Sequence, residues 1–280
     1  VNKHIKPALG HLPLNKIVRS DVQALINDNI EHPRTCEIIR MTLVQILNSA
    51  IDDKLLYDNV AKKATLPKRH KSEKRALTDL EKEALKKADF TVQEHALVML
   101  LFYFGLRRGE VLALTKSDID LKKRVLTVNK AVVFDVNTPV IKEGAKSDAG
   151  NRSIPIPESA VAFLRDFLKA VDTFYLFPGK NAETLSKTQY VKMWARIIKK
   201  MNDAVTSDKE KIIGAEPISD LTAHIFRHNY CTMLYYSGIS QKKAVELMGH
   251  SDIKMIMEVY AHLDEKKEAV QEKLNTAIAL

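Results

Sequence analysis

Cysteine is nearly absent from this chain. Only Cys36 and Cys231 occur in 280 residues, far apart and without CxxC spacing. That excludes a disulfide framework and a cysteine-based zinc site, and makes a reducing cytoplasm the expected compartment. No apolar run approaches the roughly 20 residues of a membrane helix, so no membrane partner is expected. The opening stretch VNKHIKPALG carries no signal-peptide pattern, and Val1 in place of methionine leaves room for a segment upstream. There is no G-x-x-x-x-G-K-[ST] phosphate loop, which argues against ATP-driven chemistry. No cluster of metal-ligating residues suggests a two-metal nuclease. Neither a metal nor a cofactor is therefore expected. Internal repeats and low-complexity tracts are also missing.

What is present is positive charge, unevenly placed. The chain has net charge +9, with 45% hydrophobic and 28% charged residues, an ordinary soluble composition. Residues 1–76 hold 14 Lys and Arg against 8 Asp and Glu, while the remaining 204 hold 30 against 27. About two thirds of the excess sits in the first quarter, so that end is expected to meet a polyanion first.

The pattern along the chain predicts mainly α structure with a small antiparallel β-sheet. A helical domain is expected over 1–65. It includes SDVQALINDNI, with Ser20 as N-cap and Gln23 completing a capping box. It also includes a long helix with Ile39, Leu43, Ile46, Leu47, Ala50 and Ile51 at helical spacing. A basic linker follows over 66–76, within AKKATLPKRHKSEKRA. This run holds Lys62, Lys63, Lys68, Arg69, Lys71, Lys74 and Arg75 with one acid, Glu73. A second domain is expected over 77–263. It opens on a Thr78–Glu81 capping box and continues into the apolar helix HALVMLLFYFG, which stops at Gly105. The segments RVLTVN, AVVFDV and RSIPIP read as strands, and helices resume from Glu158. A tail helix over 264–280 shows an apolar stripe of Val270, Leu274 and Ile278.

Six polar residues fall in this second domain in a tight order: Arg107, Lys146, His224, Arg227, His250 and Tyr260. Attack on a phosphodiester builds negative charge on the non-bridging oxygens, and a site without metal must supply fixed positive donors for it. A guanidinium binds two phosphate oxygens at once and stays protonated. Arg107 and Arg227 are the candidates, with Glu110 spaced to hold Arg107 in place. Arg108 is a rival that spacing does not exclude. His224 shares a helix face with Arg227 and can donate to phosphate or carry a proton; His228 lies about 100° away. Lys146, or Lys142 near it, lies between predicted strands, where it can protonate a leaving 5′ oxygen. Tyr260 is the candidate nucleophile, needing cations nearby to stabilise a phenolate of ordinary pKa about 10. Tyr230, Tyr235 and Tyr236 share an apolar helix and read as core. The set points to a DNA strand-transfer enzyme.

GLRRGEVLALTKSDID, the K-x5-R-x-I-P arrangement from Lys146 to Pro155, LTAHIFRHNYCTMLYYSGIS and LMGHSDIKMIMEVYAHL resemble the successive signatures of the tyrosine recombinase, or phage integrase, family. The likeness covers essentially the whole chain. It is strongest to integrases of temperate phages and conjugative transposons of low-GC bacteria, without their N-terminal arm-binding domain. It implies a helical core-binding domain plus an α+β catalytic domain, closing as a clamp around double-stranded DNA. It selects Arg107 over Arg108, and Lys146 over Lys142. It implies Arg107, His224, Arg227 and His250 on the scissile phosphate, Lys146 as general acid, and a 3′-phosphotyrosine on Tyr260. No catalytic position departs from the pattern. VTSDKEKIIGAEPISD is longer than the pattern suggests, and no role is assigned to it. The resemblance also implies that the basic linker contacts DNA and that the tail docks on a neighbouring protomer of a homo-tetramer. It leaves room for an accessory directionality factor. The implied activity is integration and excision of a mobile element. A type IB topoisomerase and a non-enzymatic DNA-binding regulator are the alternatives.

Overall fold

The computed structural model describes residues 1–68, 75–144, 151–180, 183–206, 217–249, 254, 256–261, 263 and 264. The chain divides into two compact units, Val1–Glu73 and Lys74–Leu280.

The first unit is helical. Helix α1 (Ile5–Leu9), α2 (Arg19–Asn27) and α3 (Pro33–Asp52) are followed by a short 3-10 turn at Val60–Lys63. Pro33 opens α3, where its missing N–H costs nothing. Ile39, Leu43 and Leu47 of α3 pack on Val22, Leu25 and Ile26 of α2 and on Ile5 and Leu9 of α1. Ile46 is turned outward, unlike its expected core position, because the buried stripe runs through residues 39, 43, 47 and 50. The start of α2 also differs from expectation. Val18, not Ser20, is the N-cap, and its N–H donates to Asp21 Oδ2 at 3.0 Å. Gln23 is drawn instead to Thr65: its Oε1 accepts from the Thr65 N–H at 2.8 Å, and its Nε2 donates to the Thr65 carbonyl at 3.2 Å.

The second unit begins with α4 (Asp79–Lys87), α5 (Val92–Phe104) and α6 (Arg108–Ala113). The Thr78–Glu81 capping box is present, with both reciprocal bonds at 2.8 and 3.2 Å. A second box, Thr91–Glu94, starts α5. The β structure is two sheets rather than one. Strands β1 (Ile119–Asp120), β2 (Val125–Val128) and β5 (Arg152–Pro155) form an antiparallel sheet in the order β1-β2-β5. Strands β3 (Lys130–Asp135) and β4 (Thr138–Glu143) form a separate hairpin. Helices α7 (Glu158–Ala170), α8 (Lys187–Thr206), α9 (Ala223–Tyr236) and α10 (Gln241–Met248) follow. Residues 256–261 are helical again. The apolar core joins Leu97, Leu101 and Phe104 of α5 to Phe226 of α9, Phe177, and Ile154 of β5. Cys36 and Cys231 are both buried and unbridged. No described helix is long and apolar enough to cross a membrane.

Two features of this packing set the site. Gly105 ends α5 in the left-handed region at φ 56°, and a Cβ there would come within 2.5 Å of the Tyr230 ring on α9. That close approach seats the end of α5 against the middle of α9. At Gly109, a Cβ would meet the Val132 carbonyl at 2.4 Å, so α6 sits directly on β3. Tyr230 is core, as expected, but Tyr236 is 71% exposed. It lies at the last position of α9, beyond the reach of the core.

Candidate active site

Arg107 is the N-cap of α6, directly after the reversal at Gly105 and the buried Leu106. Its backbone N–H donates to Glu110 Oε2 at 2.8 Å, and its Nη1 donates to Glu110 Oε1 at 2.7 Å. One carboxylate thus fixes both the backbone and the guanidinium of Arg107. Its Nη2 donates to the Gly249 carbonyl at 2.7 Å.

Arg227 comes from α9 and is 1% exposed. Its Nη1 donates to the Gly105 carbonyl at 2.7 Å, and its Nη2 donates to the Met248 carbonyl. Burial, with Arg107 and Arg152 beside it, pushes its pKa down to about 9, while Glu110 pulls the other way. It remains a cation at neutral pH.

A third arginine, outside the expected set, completes the cluster. Arg152 on β5 makes a two-pronged ion pair with Glu110, Nη1 to Oε1 at 3.0 Å and Nη2 to Oε2 at 2.8 Å. Its Nε donates to the Leu247 carbonyl at 2.8 Å. Burial alone would push the Glu110 pKa up. The hydrogen bond and charge of Arg152, the charge of Arg227 and the Arg107 N–H overcome this and hold it at about 2. Three guanidiniums around one carboxylate leave an excess of two positive charges, in a setting where burial strengthens each interaction.

The last turn of α10 is part of the same construction. Its carbonyls at Leu247, Met248 and Gly249 accept from Arg152, Arg227 and Arg107 in turn. A helix end leaves such carbonyls without helical partners and carries partial negative charge, so cations belong there. Gly249 closes α10 in the left-handed region at φ 60°.

His224 lies one turn before Arg227 on α9 and is exposed, its ring edge-on to the buried His228 at 4.6 Å. Arg107, Arg227 and His224 line a common cleft of about 540 Å³, together with Arg108, Tyr190 and Trp194. Arg108 is turned toward aromatic rings. Its guanidinium carbon is 5.3 Å from the Phe134 ring centre and 5.5 Å from that of Tyr190. The two adjacent arginines therefore do different jobs: one meets carboxylate and carbonyl, the other stacks.

Tyr260 is in the same unit but does not line this cleft among the described residues. It is 5% exposed, donates its hydroxyl to the Ile239 carbonyl at 3.0 Å, and lies edge-on to Tyr235 at 5.1 Å. Burial pushes its pKa up to about 12. Lys146 and His250 lie outside the described residues. Of the linker cations, Lys62, Lys63 and Lys68 are exposed, and Lys63 pairs with Asp58. Arg69, Lys71 and Lys74 lie outside the described residues. Arg75 is held by carboxylates: it grips Glu81 at 2.7 and 2.8 Å and Asp220 at 2.7 Å. Among the described residues, no three His, Cys, Asp or Glu side chains converge as a metal site.

Arg152, Tyr190 and Trp194 were not anticipated in the site, and Arg108, the rival to Arg107, lines the cleft beside it. For Arg152 a signal existed, since it occupies the R of the R-x-I-P segment. A buried arginine needs a carboxylate partner, and Glu110 is 42 residues away.

Comparison with known proteins agrees with this architecture. The sequence pattern of the Phage integrase family matches residues 70–267. A tyrosine recombinase XerC-like protein of Caldanaerobacter subterraneus subsp. tengcongensis is 26% identical over 266 residues, covering 84% of this chain and 64% of its own length. The transposase from transposon Tn916 of Enterococcus faecalis is 28% identical over 203 residues, covering 68% of this chain and 48% of its own. The chain thus spans about half to two thirds of the length of these relatives. Among solved structures, the Tn1549 transposon integrase in complex with a circular intermediate DNA superposes with a TM-score of 0.75 at 26% identity. That match covers 95% of this chain and 88% of the integrase. Because the family pattern spans most of the chain and the arginine-lined cleft lies inside it, this protein belongs to the phage integrase family.

Proposed function

We propose that this protein is a site-specific tyrosine recombinase of the conjugative-transposon type, which cleaves and rejoins duplex DNA to integrate and excise a mobile element. The observation that carries the reading is the pairing of Arg107 and Arg227, from different helices, on one cleft with His224. That is the cation geometry a scissile phosphate requires, held rigid before the charge develops.

In the proposed reaction the Tyr260 oxygen attacks phosphorus and passes its proton to solvent. The bond to the 5′ oxygen breaks, and that oxygen takes a proton from Lys146. The DNA is left joined to Tyr260 through a 3′-phosphotyrosine. Attack by a 5′ hydroxyl reverses the steps, so the bond energy is conserved and no ATP is consumed. Arg107, Arg227, His224 and His250 bind the non-bridging oxygens. Tyr260 must release the Ile239 carbonyl to reach the phosphate, and leaving its buried position lowers its pKa from about 12 toward the ordinary range.

Around that chemistry, each of the two units contacts duplex DNA. Lys62, Lys63, Lys68, Arg69, Lys71, Lys74 and Arg75 form the basic stretch between them and contact the backbone. Arg75 already serves two carboxylates and is the weakest member of this group. Four protomers assemble on DNA through the segment after Asp264, and an accessory factor biases direction.

A duplex with a nick beside the scissile phosphate traps the covalent step, because the short fragment diffuses away. Wild-type protein is expected to give an adduct stable to detergent. Tyr260→Phe is expected to bind the same duplex and give none. Adduct formation by Tyr260→Phe would remove Tyr260 from the role.

A further inference from the structure

Arg107 is held at two points, Glu110 on α6 and the Gly249 carbonyl beyond α10. Both points are tied by the same residue. Arg152 grips Glu110 with both Nη atoms and, through Nε, the Leu247 carbonyl two residues before Gly249. Its side chain is 4% exposed and Glu110's is 6%, so the pair is shielded from water. It sits on β5, a strand of the three-stranded sheet, none of whose residues lines the cleft. The Met248 carbonyl, which holds Arg227, lies between Leu247 and Gly249 in the same stretch of chain.

We infer that Arg152 is a positioning residue: it brackets Glu110 to the last turn of α10, and so sets where the Arg107 and Arg227 guanidiniums stand over the scissile phosphate. The inference rests on the recombinase reading. Arg152 itself is not among the cleft-lining residues, so it acts through Glu110 and the α10 carbonyls rather than on substrate. A planar five-donor fork is what this geometry uses. Lysine would keep the charge but could not span two carboxylate oxygens and a carbonyl in one plane.

The test is single-turnover cleavage of pre-bound nicked duplex between pH 5.5 and 8.5, with DNA affinity measured alongside. A misplacement near 1 Å costs about 100-fold in rate. Arg152→Met is therefore expected to cleave about 100-fold slower, with affinity changed less than about threefold. It is also expected to gain an acid limb. Without Arg152, burial raises the Glu110 pKa against the two cations that still face it, Arg107 and Arg227. As the pH falls, Glu110 takes a proton and loosens Arg107, a loss the wild type does not show in this range. Glu110→Gln in the same background should remove the limb. A role in stability alone predicts a folded, DNA-bound Arg152→Met that cleaves at the wild-type rate with the wild-type profile, and that result overturns the inference. If Arg152→Met does not fold, Arg152→Lys carries the test, with slowing of about tenfold expected and wild-type rate as the contrary result.

Failure of the wild type to form any adduct would sink the recombinase reading instead. The bracket would still be read from melting temperature against pH. In the wild type, Glu110 stabilises the fold above its unfolded pKa of about 4.3, and that contribution is lost as pH falls through about 2. Arg152→Met should flatten this loss, and an unchanged acid profile would overturn the bracket.

Discussion

At the residue scale, the site is a problem in placing like charges side by side. Arg107, Arg152 and Arg227 repel one another, and Glu110 with three helix-end carbonyls makes the cluster stable. The consequence is specific to guanidinium geometry. Arg227→Lys retains the charge but cannot reach both the Gly105 and Met248 carbonyls while facing phosphate. Cleavage should fall by about 100- to 1,000-fold, the usual cost of losing one transition-state donor. Single-turnover rates on pre-bound DNA would measure it, and a loss under tenfold would contradict the assignment. Part of this site was legible in the sequence and part was not. Glu110 three residues after Arg107 was readable, because that spacing belongs to a helix start. Arg152 was visible only as the R of R-x-I-P; its burial was not, because that depends on a partner 42 residues away. The separation of Arg107 from Arg108 depends on the turn at Gly105, whose left-handed φ of 56° only the fold reveals.

At the element scale, helices α5 and α9 are brought together by a glycine. Gly105 both takes a left-handed φ and lets the Tyr230 ring approach where a Cβ would stand at 2.5 Å. Gly105→Ala should therefore destabilise the protein by about 2 kcal/mol or more, combining the left-handed penalty with overpacking. Urea unfolding would show it, and a change under about 0.5 kcal/mol would mean that α9 is not seated as described. The elements themselves were largely readable. Thr78–Glu81 marked α4, and the apolar run marked α5 up to Gly105. The departures have local causes. Ser20 lost the N-cap of α2 to Val18 because Asp21 serves the Val18 N–H. The strand β4, TPVIKE, was not foreseen because four of its six residues are exposed and, among the described residues, it pairs only with β3. A sheet expected as one became two because β2 pairs with β5, far along the chain, while β3 turns back on β4.

At the scale of the whole molecule, charge placement and assembly carry the predictions. A duplex ligand releases counterions as lysines neutralise phosphates, so affinity should fall steeply with salt. Exposed Lys62 and Lys68 each account for about one unit of that slope in the proposed complex. The Lys62→Ala, Lys68→Ala double variant should lower the slope by about two in titrations from low to moderate salt, and an unchanged slope would take this face off the DNA. Truncation after Asp264 is expected to leave DNA binding by single protomers intact and to abolish tetramers on DNA, as read by native electrophoresis or light scattering. Tetramers that survive truncation would rule out the tail as the link. The basic bias of the first quarter of the chain was legible from composition alone. The resting place of Tyr260 was not, because its hydroxyl is held by Ile239, 21 residues earlier in the chain.

The most direct test of the central claim is to trap the covalent complex on nicked duplex, digest it, and map the modified peptide by mass spectrometry. The account predicts a nucleotide 3′-phosphate on Tyr260 and on no other side chain. A phosphate on Tyr230, Tyr235 or Tyr236, or an adduct formed without any tyrosine modified, would contradict it.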